Sequence, residues 1–458
     1  MTSMPPDVTT HGQTLTSLAG ELLERATRQG ASAADVVVAE GDNFSVQVRL
    51  TAVDRLTRAR EKRAGIRIFF GYRSASASTS DFSRESLHRL VDDTCALAKA
   101  VVEDPMSGLP ERSQLATTFP DLETYDATSL APDLQIELAR RTERAALGLD
   151  TRITNSEGAD FNSSAGRIVL GNTQGFMGEY RSSSFSTSVS PIATDEQGGM
   201  QRDSWYAVQR KFAKLESPES VGQEAARRTL RRLGARKVST CRVPIVFDPD
   251  MAAGLMSNLS SAVSGYALYK GTSFLVGQLG QKIGSDLLTV YDDGLLQGGL
   301  GSRPFDGEGV PTRKTVVVER GLLKSYLLDS YSGRKLGLAS TGNASRSVGD
   351  SPSVGTTNLY LTPGSWTPEA IIKSVKRGLY VTELIGFGIN MVTGDYSRGA
   401  AGLWIENGEL TYPVEEITIA GNLKEMLKNI DMVGDDLVFR GRIASPTLRI
   451  AEMMIAGA

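Results

Sequence analysis

The sequence predicts an α+β fold: a two-part N-terminal region with antiparallel strands and long helices, followed by a β-rich C-terminal domain. Three observations carry this expectation. Amphipathic helical stretches bracket period-two strand patterns in the N-terminal part. The same mixture of helix and strand recurs after a turn-rich stretch that ends near residue 130. Beyond residue 238, glycine-punctuated strands outnumber helices. A chain of 458 residues exceeds what one hydrophobic core ordinarily organises. The expected division is a disordered tail at 1–13, an N-terminal α+β domain at 14–105, a middle α+β domain at 106–237 and the C-terminal β-rich domain at 238–458.

Taken in order, TLTSLAGELLERATRQGA reads as a helix with Leu15, Leu18, Leu22 and Leu23 on one side and Gly30 ending it. In ADVVVAEGDNFSVQVRL, Val36 to Val38 form an apolar run, Gly41-Asp42-Asn43 reads as a turn, and Phe44, Val46, Val48 and Leu50 alternate. Ile66, Ile68 and Phe70 alternate ahead of Gly71, the pattern of a second hairpin. RESLHRLVDDTCALAKAVV is a helix with Leu87, Leu90, Val91 and Cys95 on one face. In the middle segment APDLQIELARRTERAALGL is helical, and the residues around Phe185 and Val189 are strand-like. A further helix has Ser217 as its cap, Pro218 at its first position and Gly234 as its terminator. In the last segment KTVVVERGLLKSYLLD and GLWIENGELTYPVEEITIAG are hairpins, turning at Arg320-Gly321 and Asn407-Gly408, with a helix in TPEAIIKSVKRGLYV between them.

Composition removes several function classes. At 40% hydrophobic and 22% charged the chain is globular. No apolar run approaches the ~20 residues that cross a bilayer. The opening MTSMPPDVTTHGQ lacks a signal-peptide pattern, and Cys95 and Cys241 provide no disulfide framework, so a cytoplasmic location is expected. A formal charge of −3 argues against coating nucleic acid. Arg227, Arg228, Arg231 and Arg232 sit near a helix C-terminus, where the dipole favours cations, and read as a solvated face. No stacking aromatics accompany them to make a nucleic-acid stripe.

The residues available for chemistry are few. Only two histidines occur: His11 in the tail and His88 on a helix. A zinc site needs several His, Cys or carboxylate ligands together, and a Ser-His-Asp arrangement needs a base, so both are starved. Ser332 and Lys335 match S-x-x-K, but the companion motifs of serine acyl enzymes are absent. Gly277, Gly280 and Gly284 do not form G-x-G-x-x-G, and no phosphate loop occurs. The pairs Asp292-Asp293 and Asp435-Asp436 sit in turn-like contexts and read as solvated. Two segments stand out. One is a helix with Met251, Leu255, Leu259 and Val263 on a buried face and Ser257, Ser260, Ser261, Ser264 and Gly265 elsewhere, which suits close packing against a neighbour. The other is TGDYSRGAAG, read as a loop, in which Gly394 and Gly399 enclose Asp395, Tyr396, Ser397 and Arg398.

With their flanks, VFDPDMAAGLMSNLSSAVSGYALYKGTSFL and GFGINMVTGDYSRGAAGLWIENGELTYPVEEITIAGNL, these segments resemble the TldD/PmbA family of bacterial metalloproteases (peptidase family U62, also labelled modulator of DNA gyrase), in its PmbA or TldE branch. The likeness extends from about residue 14 to the end. In that family the TldD-type subunit carries H-E-x-x-x-H on the helix corresponding to Leu255–Gly265, with a cysteine ligand further on. The resemblance implies a heterodimer in which that subunit alone holds zinc. Laid on the shared Ala-Val, the two histidines correspond to Ser260 and Gly265 and the glutamate to Ser261, and no cysteine follows Cys241. No catalytic or metal-binding residue is therefore expected in this chain; zinc is expected in the partner.

The resemblance further implies unfolded peptide substrates and a TldD-type catalytic subunit as partner, with a homodimer of the isolated chain left open; composition leaves neither nucleic acid nor membrane as an expected ligand. Gly394, Asp395, Tyr396, Ser397, Arg398 and Gly399 are expected to line the shared cavity, Arg398 with Asp395 organising the loop and an extended peptide pairing along a sheet edge. A self-satisfied turn that only stabilises the domain is the alternative. Two rival functions stay open: an independent serine hydrolase built on Ser332 and Lys335, and a homodimeric binding protein without a catalytic partner.

Overall fold

The computed structural model describes residues 14–457. The expected tail at 1–13, with His11, lies outside the described residues. Helices α1 (Leu15–Arg28), α2 (Arg84–Ala100), α3 (Pro132–Leu147) and α4 (Pro218–Leu230) form where the apolar spacing predicts them. Thr14, Ser83 and Ser217 each accept a hydrogen bond from a first-turn backbone N–H of α1, α2 and α4, a cap that contributes about 1 kcal/mol.

The helices cover one face of an antiparallel sheet. Its long strands are β1 (Ala33–Arg49), β2 (Ala52–Phe70), β4 (Ile153–Asn172) and β5 (Met177–Thr194), with the short β3 (Arg73–Thr79), β6 (Met200–Arg202) and β7 (Trp205–Gln209). The order is β3-β2-β1-β4-β5-β6, with β7 also on β5. The turn expected at Gly41-Asp42-Asn43 does not exist: β1 continues through it. Paired on one side with Glu61, Arg60 and Ala59 and on the other with Gly166, Ala165 and Ser164, these residues have their backbone groups satisfied by two ladders. The β1–β4 ladder also joins the 14–105 and 106–237 segments in a single sheet.

Strand alternation assigns the two faces of that sheet. Val36 and Val38 pack with Ile66 and Ile68 beneath α1 and α2, and Phe44, Val46 and Val48 pack beneath α3 and α4. The odd positions of β1 face the C-terminal domain, where Val37 joins Leu170, Phe176 and Phe305. Asp35 on the same face is buried between Arg67 of β2 and Arg346 of the C-terminal domain, at 2.5 and 2.7 Å.

The C-terminal domain is built on a ring of strands. Strand β8 (Cys241–Phe247) lies parallel to Arg377–Ile385 and antiparallel to Leu448–Ala456. Arg377–Ile385 pairs with Asp395–Glu406, which pairs with Glu409–Asn422, and the last strand closes on Leu448–Ala456 through Thr418 to Ala420. The predicted hairpin turns are present, with positive φ at Arg320 and Gly321 and at Asn407 and Gly408. The helix expected in TPEAIIKSVKRGLYV is confined to Pro368–Lys373, because Arg377 onward is recruited into the ring. Helix α5 (Pro249–Ala262), capped by Asp248, buries Leu255, Met256 and Leu259 in the largest core.

Candidate functional site

The stretch after β8 folds as two helices rather than one. α5 ends at Ala262, Val263 and Ser264 break the ladder, and α6 (Gly265–Tyr269) restarts it. The break is fixed from outside, since the Gly265 N–H donates to the Leu327 carbonyl at 2.8 Å and Leu327 N–H donates back to Val263. Around it lies a cavity of about 280 Å³, lined by Ser260, Ser261, Ser264, Tyr266, Leu327 and Thr356 among others.

The three positions that the resemblance lays on the zinc motif offer no ligand set for a metal. Ser260 and Ser261 both donate their hydroxyls to the Ser257 carbonyl, at 2.8 and 3.0 Å. Gly265 is pressed against α7 (Ser330–Leu336): a Cβ built on it would lie 2.4 Å from Ser332 Oγ and 2.6 Å from Leu328 Cδ2. No heavier side chain fits there without movement of buried atoms. Among the described residues no three His, Cys, Asp or Glu side chains group in a way that could hold a metal ion. Hydroxyls and a glycine do not supply a zinc ligand set, so the residues present do not fit the group.

The run read as a loop is a strand. Asp395–Glu406 pairs along both edges, and only the turn before it bends, with Gly394 at φ +88°. Asp395 and Arg398 do not organise each other, because at odd spacing they point to opposite faces. Asp395 accepts from Thr393 at 2.6 Å and Asn422 at 3.1 Å, and those bonds hold its carboxyl below the usual value. Tyr396 is buried in the core, where burial pushes its phenol up to about 12. Ser397 is exposed and donates its backbone N–H to the Gly388 carbonyl. Arg398 is half-buried and donates to the Leu384 carbonyl at 3.1 Å, while Gly399 sits opposite Ile385. None of the six is among the residues lining the cavity at Ser260–Thr356. The two places are connected through the segment after α6: Ser273 Oγ donates to Ala262 and Phe274 N–H to Met391.

Ser332 does not form a nucleophile–base pair with Lys335. Its hydroxyl is buried and donates to Asp329 at 2.5 Å, in the capping box of α7, while Lys335 Nζ lies 3.5 Å from Asp104. His88 contacts Glu21 of α1 at 3.3 Å, and Cys95 is buried in the helix core.

Other charged residues depart from their expected settings. Arg228 is buried rather than solvated, reaching Asp248 at 3.3 Å and stacking over Trp205, and Arg232 pairs with Glu383 at 2.5 Å. They tie α4 and the turn after it to the C-terminal domain, so the arginine cluster is not a free basic face. Asp292 is likewise buried, accepting from Asn343 and Thr357. Sequence reasoning missed the interdomain cluster of Asp35, Arg67, Arg346, Asp306 and Glu308, because its members lie far apart in the chain and no periodicity links them. The one available signal was Asp35 within an otherwise apolar strand run.

The PmbA/TldA metallopeptidase family matches the chain in three stretches: its domain 1 over residues 34–98, its central domain over 125–233 and its C-terminal domain over 240–457. A metalloprotease PmbA from Escherichia coli O157:H7 is 42% identical over 424 residues, covering 93% of this chain and 92% of the relative. A solved structure from Bacteroides thetaiotaomicron, described as a modulator of DNA gyrase, superposes with a TM-score of 0.91 at 30% identity, over 98% of this chain and 100% of that one. TldE from Thermococcus kodakarensis has the same fold, with a TM-score of 0.86 at 22% identity over 96% of this chain and 100% of that one.

Proposed function

Because this chain belongs to the PmbA/TldA metallopeptidase family, we propose that it is the zinc-free subunit of a heterodimeric metalloprotease of the TldD/TldE type. In that role it completes the chamber around the partner's metal site and helps to hold unfolded peptides for cleavage or processing. The observation that carries the reading is the packing of Gly265 on Ser332, which leaves no room at a ligand position for an imidazole. The bonded hydroxyls of Ser260 and Ser261 support it, since neither replaces an imidazole ligand or the carboxylate that takes a proton from zinc-bound water.

This chain's own contribution is to bind and to shape. The cavity at α5 and α6 offers hydroxyls and backbone groups without charge, which suits peptides of varied sequence. The Gly394–Gly399 segment contributes a rigid strand end rather than a catalytic group. No helix among the described residues is long and apolar enough to cross a membrane, and a cytoplasmic site of action is part of the proposal. The buried, capped Ser332 weighs against the serine hydrolase reading.

The test is reconstitution. A denatured protein substrate is incubated with this chain, with a TldD-type chain, and with both. Proteolysis that needs both chains and is abolished by a chelator supports the proposal. Chelator-resistant proteolysis by this chain alone overturns it.

A further inference from the structure

An extended chain bonds through its backbone, so a site for one needs N–H and C=O groups that the fold leaves unpaired. Asp395–Glu406 is paired along both edges and offers no such row. The short strand Ser353–Val354 pairs on one side only, antiparallel to Ala344–Ser345, with Ser353 opposite Ser345 and Val354 opposite Ala344. In such a ladder hydrogen-bonded and non-hydrogen-bonded pairs alternate. The Gly355 N–H donates to the Asn343 carbonyl at 2.9 Å, which makes Val354 and Ala344 a non-hydrogen-bonded pair. Ala344 accordingly faces away from Val354: its N–H donates to Asp306 Oδ2 at 3.0 Å and its carbonyl accepts from the Gly307 N–H at 2.8 Å. By the same alternation the N–H and C=O of Val354 point out of the pair on the other side, and neither has a partner among the described residues. Val354, Gly355 and Thr356 line the cavity beside α5 and α6.

We propose that the edge at Val354 is a subsite that reads the backbone of an extended peptide, which adds to it as a further strand. The inference rests on the subunit role proposed above and locates the peptide contact on this chain. Three features select that occupant. In the antiparallel sense the N–H and C=O of Val354 bond the C=O and N–H of one facing residue, an arrangement that fits a short site. At about 280 Å³ the cavity stands near the ~300 Å³ lower end of ligand pockets, so it admits a short stretch of chain and not a folded element. The residues lining it carry no charge, and Lys270 stands at its margin, 5.8 Å from the Tyr266 ring centre. Neutral hydroxyls of Ser264 and Thr356, without partners among the described residues, remain for the peptide's other backbone groups. The edge is also set in advance. Asn343 Nδ2 donates to the Gly355 carbonyl at 3.1 Å, and Thr357 donates its N–H and hydroxyl to Asp292 at 2.8 and 2.9 Å. Recognition of this kind tolerates varied side chains but rejects a proline or an N-methylated residue opposite Val354.

The test measures peptide binding to the lone full-length chain by fluorescence anisotropy. The probe is a labelled decapeptide of Thr, Val, Ser and Gln, compared with the same peptide N-methylated at consecutive central residues so that neither edge donates. Methylation is expected to weaken binding by about tenfold, the scale of one or two lost hydrogen bonds. Val354→Pro removes the unpaired N–H at an edge position where proline is tolerated, and is expected to weaken binding of the unmethylated peptide by about three- to tenfold. Far-ultraviolet circular dichroism shows that the variant folds, and the methylated peptide tests the wild-type chain whether or not it does. In the pair reconstituted with a TldD-type chain, Val354→Pro raises KM and leaves kcat unchanged, which loss of a merely structural contact does not produce. If both peptides bind the wild-type chain equally, or neither binds and KM is unmoved by Val354→Pro, the subsite is wrong while the subunit role stands. If the wild-type pair shows no metal-dependent proteolysis but the lone chain binds only the unmethylated peptide, the subunit role falls and the subsite stands.

Discussion

Gly265 of α6 and Ser332 of α7 are in such close contact that a Cβ on the glycine would stand 2.4 Å from the serine hydroxyl oxygen. The hydroxyl is itself committed, donating to Asp329 at 2.5 Å. One contact thus leaves no room for a side chain at the position the resemblance lays on a metal ligand, and it immobilises the serine of the S-x-x-K match. Gly265→Ala is expected to lower stability by about 1–3 kcal/mol through overpacking, read as a shift in urea midpoint. The triple variant Ser260→His, Ser261→Glu, Gly265→His is expected not to take up zinc. A stable triple variant with stoichiometric zinc would show that the helix pair can open.

Ser332→Ala removes the hydroxyl half of a capping box and is expected to cost about 1 kcal/mol, with no loss of proteolysis by the reconstituted pair at a temperature where the variant is folded. Lys335→Ala is expected to behave in the same way. Loss of turnover with retained fold in either variant would restore the serine hydrolase reading.

Asp35 is buried with Arg67 and Arg346 at the join between the sheet and the C-terminal domain. Burial pushes its carboxyl up, but the Arg346 and Arg67 guanidiniums outweigh burial and hold it below its ordinary value. Arg346→Met strips one partner from a desolvated carboxylate and is expected to destabilise the fold by about 3–5 kcal/mol. Thermal unfolding checks this, and a loss under about 1 kcal/mol would mean the cluster is hydrated or redundant.

Asp306 lies in the same region, and burial together with the neighbouring Glu308 carboxylate pushes it up to about 7. The folded chain then holds this proton more tightly than the unfolded chain, whose carboxyl titrates near 3.8. Its stabilising contribution is complete below the lower value and is lost as pH rises through about 7. Asp306→Asn, which cannot ionise, is expected to be less stable than wild type at low pH, the gap narrowing between about pH 4 and pH 7. Parallel stability–pH profiles for the two proteins would contradict the raised value.

Arg398 is half-buried and braces the Leu384 carbonyl across two strands. If this strand end helps to hold substrate, Arg398→Ala is expected to reduce kcat/KM of the reconstituted pair by about tenfold, or 1.4 kcal/mol, with assembly intact. Unchanged proteolysis would leave Arg398 a structural residue only.

Local grammar was legible where one element decides its own structure. The caps Ser217-Pro218, the Asn407-Gly408 turn and the helix bearing His88 stand where their residues predict. What could not be read depended on distant partners. Gly41-Asp42-Asn43 has turn residues, yet two flanking ladders draw it straight. Asp395 to Gly399 has loop residues, yet the closing ring makes them strand. Arg228 and Asp292 look solvated, but their counter-groups come from other segments and bury them. At the site, the residue types at Ser260, Ser261 and Gly265 were plain in the sequence. The steric reason for the glycine was not, since Ser332 lies 67 positions away.

The central claim is that this chain holds no catalytic metal, and metal analysis of the lone chain tests it most directly. The chain is purified without chelator, equilibrated with zinc, dialysed, and assayed for bound metal and for peptidase activity. Sub-stoichiometric zinc and no proteolysis until a metal-bearing partner is added is the predicted result. One tightly held zinc per chain, lost together with turnover on Ser260→Ala, would contradict it.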